Sequence, residues 1–309
     1  MRKKSHMGRK AGSMARKSIK FINSAVNYIV LMVILILIAF AGYALWDSNQ
    51  IYQAADKSNY AIYKPTIEDE GKSFKELQAV NAEVFAWLTV YGTNIDYPVT
   101  QGTDNMKYVS TNAEGLYSLS GAIFLDSYNN KNFRDFNNIL YGHHMEKKKM
   151  FGEIGNFSDK DMFDNHRYGN LYFDEKDHGL EFFAFIHTDA YNSSIFTANV
   201  DETQRQAYLD NLLASAMYTR DIGVTADDRI ILLSTCSSTS TNGRDILIAR
   251  ITDETYEDPF INAGKNNEKK QTGTDGLAKE LQLLNLILII LLIVLVIVII
   301  YRRKNRKRS

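Results

Sequence analysis

The sequence predicts a mostly β fold with added helices: a closed or nearly closed barrel flanked by two transmembrane helices. Three observations carry this. Short segments with β-branched or aromatic cores are punctuated by Gly92, Asn94, Pro98 and Gly102, the pattern of many short strands. Residues 203–220 carry apolar side chains at 208/209, 212/213 and 216/217, the spacing of an amphipathic helix. Two long apolar stretches without charge lie near the two ends.

The charges are segregated along the chain. The total is 36 basic against 36 acidic residues, and neutrality argues against a nucleic-acid partner. Eight Lys/Arg and no acid lie within residues 1–46, and six more, again with no acid, follow Ile300. Between them, 22 basic residues face all 36 acidic ones, a net charge of −14. Residues 1–28 therefore read as a basic cytoplasmic tail. Residues 29–46 (IVLMVILILIAFAGYALW) span about 27 Å as a helix, close to the bilayer's hydrocarbon core. Tyr43 and Trp46 sit at the outer end, where amphipathic aromatics favour the interface. A cleaved signal peptide is the alternative, with Ala39-Phe40-Ala41 as its site, but the apolar run continues past it.

Residues 47–73 read as an extracellular stalk and 74–252 as the folded domain. Within it, residues 74–90 begin helically and pass into a strand, and further strands fall at 94–99, 122–125, 138–141, 170–173, 181–187, 229–235 and 245–249. Residues 253–280, rich in Asn, Lys, Gly and Thr, read as a linker. Residues 281–301 form a second transmembrane helix, including an unbroken Leu/Ile/Val run over 286–300, and 302–309 a second basic cytoplasmic tail. Lys and Arg beside membrane ends resist translocation, so both termini are expected in the cytoplasm and the domain outside the cell membrane.

One cysteine, Cys236, excludes an internal disulfide and a thiolate zinc cluster. It follows the apolar run ILLST and precedes a string of Ser and Thr, so a strand end opens into a polar loop. Such a loop can present a side chain to substrate. A lone cysteine is otherwise a small buried hydrophobe, but an unpaired exposed thiol outside the cytoplasm needs a use. Of six histidines, His143 and His144 follow a strand that ends at Gly142. A histidine there could pair with the thiol for acyl transfer. The alternatives are a surface pair or half of a metal site, and no HxH, HExxH or CxxC spacing supports a metal. Arg244 lies eight residues after Cys236, at the approach to the next strand. Its fixed charge and several donors could hold a carbonyl or an oxyanion; Arg250 competes for that role.

Cys, His and Arg in this order resemble the sortases, membrane-anchored cysteine transpeptidases of Gram-positive bacteria. The resemblance rests on Leu232-Leu233-Ser234-Thr235-Cys236, on Arg244-Asp245-Ile246-Leu247-Ile248-Ala249 and on Gly142-His143. It looks closest to class B over residues 74–250, through NAEVFAWL (81–88), GTNIDYPVTQ (92–101), AIFLD (122–126), NILYGHHM (138–145) and the helix before the cysteine strand. The resemblance implies an eight-stranded barrel with catalytic Cys236, His143 and Arg244, His144 a bystander, and no cofactor. It implies as partners secreted proteins carrying a C-terminal sorting signal, with a peptidoglycan precursor amine or a pilin lysine as acceptor. A second span is commoner in pilus-assembling class C enzymes, yet no class C lid motif follows the first span. A plain cysteine peptidase and an anchored scaffold module with a structural cysteine are the competing readings.

Overall fold

Residues 29–46 belong to one long helix, α1 (Lys4–Ala54), 51 residues and about 77 Å in length at 1.5 Å per residue. The computed structural model describes residues 4–66, 71–238 and 240–261. The expected second span at 281–301, the tail at 302–309 and most of the linker lie outside the described residues. The apolar part of α1 has a mean hydropathy of 2.7 and is not buried by any of the described residues. The stalk is helical at first: α1 runs on to Ala54, and two short 3-10 turns at Lys57–Asn59 and Ala61–Tyr63 follow.

The domain begins with α2 (Lys72–Val80) and then alternates strands with short helices. The strands are β1 (Val84–Val90), β2 (Asp96–Thr100), β3 (Ile123–Leu125), β4 (Asn137–Tyr141), β5 (His144–Met145), β6 (Lys149–Met150), β7 (Tyr168–Phe173), β8 (Lys176–Asp189), β9 (Tyr218–Thr219), β10 (Arg229–Cys236) and β11 (Gly243–Thr252). The helices among them are α3 (Lys160–Asn165) and α4 (Arg205–Ser215). Eight strands join edge to edge in the order β11-β10-β4-β3-β2-β1-β7-β8, and β8 pairs back onto β11, closing the barrel. All pairs are antiparallel except β2–β3 and β4–β10. β9 adds a two-residue edge to β8, and β5–β6 form a separate hairpin.

Side chains fill both sides of the wall. Leu88, Tyr97, Leu140, Phe182, Phe185, Ile231, Leu233 and Leu247 pack inside the barrel, while Trp87 packs against Phe74 of α2 on its outer side. Ile139, Phe183, Ile186, Ile230, Leu232, Ile246 and Ile248 pack outside it, under Tyr208, Leu209 and Leu212 of α4. That explains why β10 and β11 read as continuous apolar runs rather than alternating ones, since both faces are buried.

Two expectations need correction. The helix expected over 203–220 stops at Ser215: its buried side chains are already spent at Leu212, and Tyr218 and Thr219 instead pair with Phe185 and Ala184 of β8. The start of the expected linker is packed on the barrel. Tyr256 stacks on Tyr168 at 4.1 Å and Phe260 on His166 at 4.7 Å, ring centre to ring centre. Leu232 is fully buried between the barrel wall and α4, so Leu232→Ala is expected to cost about 2–5 kcal/mol, read from denaturant unfolding of the full chain in detergent.

Candidate active site

β10 places Cys236. The side chains of Ile231 and Leu233 point into the barrel, whereas Ile230 and Leu232 point to the outer core. With a period of two, Cys236 falls on the outer face, at the strand's end, and is exposed. On one side the β10–β11 register sets Cys236 directly opposite Arg244. On the other, β4 runs parallel, with Leu232 opposite Ile139 and Ser234 opposite Tyr141. Two hydrogen bonds extend that register beyond the strand: the Gly142 amide donates to the Ser234 carbonyl at 3.2 Å, and the Thr235 hydroxyl donates to the Gly142 carbonyl at 2.8 Å. The next pair in the series is Cys236 with His143. The backbone of Cys236 is therefore paired with that of Arg244 on one side, and on the other stands one step past the Thr235–Gly142 contact, at the level of His143.

At Gly142 the chain passes close against the core. A Cβ there would lie 2.5 Å from Ile123 Cδ1 and 2.8 Å from the Phe151 ring. The half-buried His143 ring is oriented by the β2–β3 connection, its Nε2 standing 2.8 Å from the Val109 carbonyl. A carbonyl only accepts, so Nε2 carries the proton and Nδ1 is the acceptor nitrogen of the neutral ring. Gly121 makes room for this contact. Its φ is +59°, and a Cβ on it would lie 2.5 Å from the Tyr108 carbonyl oxygen, 2.8 Å from that of Val109 and 3.2 Å from His143 Cδ2.

Arg244 is half-buried, with Nη1 donating to its neighbour's carbonyl on Gly243 at 3.0 Å. It also acts on Tyr141. Burial pushes the Tyr141 phenol above its ordinary pKa, Asp126, which accepts its proton at 3.0 Å, pushes the same way, and Arg244 opposes both. Asp126 is itself buried and also takes a hydrogen bond from Asn105 at 2.8 Å. Tyr141 and Asp126 form a polar wall that sequence reasoning did not single out, although Tyr141 ends a segment it marked as a strand and Asp126 directly follows another. One residue back from the thiol, on the inner face, Thr235, Asp245 and His187 form a row, with His187 Nδ1 2.8 Å from Asp245 Oδ1.

The other candidates lie elsewhere. Arg250 sits at the opposite end of β11, opposite Ile230, and its Nη2 donates to Glu181 at 2.8 Å. His144 opens the β5–β6 hairpin, pairing with Met150. His166 is covered by Phe260, and His178 is stacked on Phe173 at 3.9 Å. Burial lowers the His178 pKa, and the nearby Arg229 lowers it further. Among the described residues no group of three or more His, Cys, Asp or Glu is arranged to hold a metal. A surface cavity of about 480 Å³ lies between α2, Phe85 and residues 130–132, and holds none of the three site residues.

A barrel wall that presents an exposed thiol at a strand end, with a histidine and an arginine at the ends of the two neighbouring strands, is suited to thiol acyl transfer. No protein-family model matches the chain. Sortase B of Listeria monocytogenes is 30% identical over 223 residues, 71% of this chain and 91% of that protein. A crystal structure of sortase B from the type II pilus of Streptococcus pneumoniae is 48% identical, with a TM-score of 0.52, over 59% of this chain and 99% of that one. A Streptococcus pyogenes class B sortase involved in pilus biogenesis is 38% identical, with a TM-score of 0.54, again over 59% of this chain and 99% of that one. The chain belongs to the sortase family, the cysteine transpeptidases, and its matches are class B enzymes.

Gly121→Ala is expected to displace both the Val109 carbonyl and the His143 ring, since the new Cβ meets backbone that cannot yield. Transpeptidation should fall by about 10²-fold, while Cys236 stays open to iodoacetamide in the folded protein.

Proposed function

We propose that Cys236 is the nucleophile, His143 the proton-transfer group and Arg244 the holder of substrate and oxyanion. The observation that supports this is the placement of all three on one barrel face, at the ends of three neighbouring strands, with the cysteine in the middle. Cys236 passes its proton to the acceptor nitrogen of His143, and the sulfur attacks the carbonyl carbon of a Thr–Gly or Thr–Asn type bond in the C-terminal sorting signal of a secreted protein. The C–N bond breaks as His143 gives a proton to the leaving nitrogen. An incoming amine then attacks the thioester carbonyl, His143 takes its proton, a new amide forms and the thiol is regenerated. Arg244, permanently charged, faces the oxygen on which negative charge develops in both halves, and backbone near Cys236 can assist.

The apolar part of α1 serves as membrane anchor on this reading, its basic start on the cytoplasmic side and the barrel outside, where substrate and lipid-linked acceptor meet. The acceptor is a cell-wall amine, the cross-bridge of a peptidoglycan precursor. A pilin lysine is the second reading, and what favours it is the 48% and 38% identity to class B sortases described with pili.

With a fluorogenic sorting-signal peptide, Cys236→Ala is expected to abolish cleavage, and His143→Ala to lower kcat/KM by about 10²–10⁴-fold. Arg244→Ala should cost about 10²–10³-fold, with Arg244→Lys recovering only part, because one ammonium cannot replace a planar set of donors. His144→Ala should retain most activity; equal losses at His143 and His144 would overturn the assignment. The acceptor is read by mass spectrometry, with the peptide and either a cross-bridge amine or a pilin lysine peptide present. A cross-linked product with one amine names the acceptor, whereas hydrolysis alone with both would make the enzyme a peptidase.

A further inference from the structure

Among the described residues, the end of α1 and the residues just after it meet the barrel at Tyr97 of β2 and at the hairpin that begins immediately after His143. Tyr97, fully buried in the wall, donates its hydroxyl proton to the Ala55 carbonyl at 3.0 Å and accepts the Met150 amide proton at 3.1 Å. One phenol thus joins the last turn of the helix to β6. Beside it, Lys149 of β6 pairs with Asp56. Burial alone would raise the Asp56 carboxyl, but Lys149 and the Ser58 amide outweigh it and hold it below its ordinary value. Tyr52, one turn earlier, donates to Glu146 at 3.3 Å and lies under the Lys147 ammonium, 4.3 Å from ring centre to nitrogen.

The hairpin needs such support. Lys147, Lys148 and Met150 have φ of 57°, 59° and 51°, a left-handed conformation that non-glycine residues keep only when their surroundings enforce it. The hairpin is tied in turn to the histidine: the Phe151 amide donates to the His143 carbonyl at 3.0 Å. His143 is thus gripped from two sides, by the Val109 carbonyl on its ring and by the hairpin on its backbone.

We propose that the membrane-anchor helix is a positioning element for His143, acting through Tyr97 and the Asp56–Lys149 pair on the β5–β6 hairpin. This rests on the reading of His143 as the proton-transfer group. None of Asp56, Tyr97 or Lys149 is placed against substrate; they act through the histidine's backbone.

The test uses the full chain in detergent or vesicles. Tyr97→Phe removes both hydrogen bonds and keeps the ring. It is expected to lower kcat for the sorting-signal peptide by about tenfold, to leave KM within twofold, and to speed deuterium exchange of the amides of residues 144–151. Asp56→Lys and Lys149→Asp should each lower kcat similarly, and the double reversal should restore it to within twofold of the starting enzyme, which a loss of folding in the single variants would not produce. Unchanged kcat and unchanged hairpin exchange in Tyr97→Phe would overturn the proposal, as would a double reversal no better than either single change. Failure of the underlying reading looks different: His143→Ala would then keep its kcat whatever the hairpin does.

Discussion

The pairing of β10 with β4 on one side and β11 on the other is the constraint from which the site follows. β10 contributes Ile231 and Leu233 to one core and Ile230 and Leu232 to the other, each worth about 1.5–3 kcal/mol when buried. A slip of one residue would exchange the two sets and turn Cys236 toward the barrel interior. The apolar residues upstream of the cysteine therefore decide which way the sulfur faces. The same register sets Arg244 opposite the cysteine on one side and brings the end of β4, with His143 beyond it, to the other.

Beneath that face lies a polar layer at the barrel's end. Thr235 closes the gap to Gly142, and Asp245 with His187 joins β11 to β8. These contacts sit where the apolar core stops and the strands would otherwise fray, directly behind the thiol and the guanidinium. The Tyr141–Asp126–Asn105 chain does the same on the outer side. A buried carboxylate such as Asp126 is tolerable because both neighbours donate to it. The result is a site whose strand ends are held in two directions before any substrate arrives.

Much of this was legible in the sequence because it is written in local patterns. The strand before Cys236, the glycine before His143 and the helix over Tyr208–Leu212 each follow from spacing and residue type. What the sequence left open was which distant strands touch. Parallel pairing of β4 with β10 spans more than ninety positions, and nothing in either segment names the other. The choice between Arg244 and Arg250 turns on that register alone: one faces the thiol, and the other is ion-paired at the far end of the strand. The Val109 carbonyl is a backbone atom and leaves no signature in residue type. The helix expected to reach 220 ended early because β8 offered Tyr218 a strand partner, a tertiary preference that overrides helical spacing.

The stalk expected from the sequence begins as a continuation of α1, and that continuity bears on how the anchor should be understood. On the reading that residues 29–46 span the bilayer, the helix continues without a break to Ala54, eight residues past Trp46. That is about 12 Å of helix, and the chain meets the barrel through Ala55 and Asp56 at once. A flexible spacer of equal length would let the domain tumble over the membrane surface. A helix whose end is hydrogen-bonded to a buried tyrosine fixes both height and orientation instead. On the proposed function, with substrate and lipid-linked amine both at the membrane, a fixed orientation would raise the effective concentration of both at the thiol. The acidic domain, with its net charge of −14 outside the two basic ends, would be repelled by an anionic leaflet. On the same reading, a helix that runs unbroken from the span to the barrel would hold the site near the membrane against that repulsion.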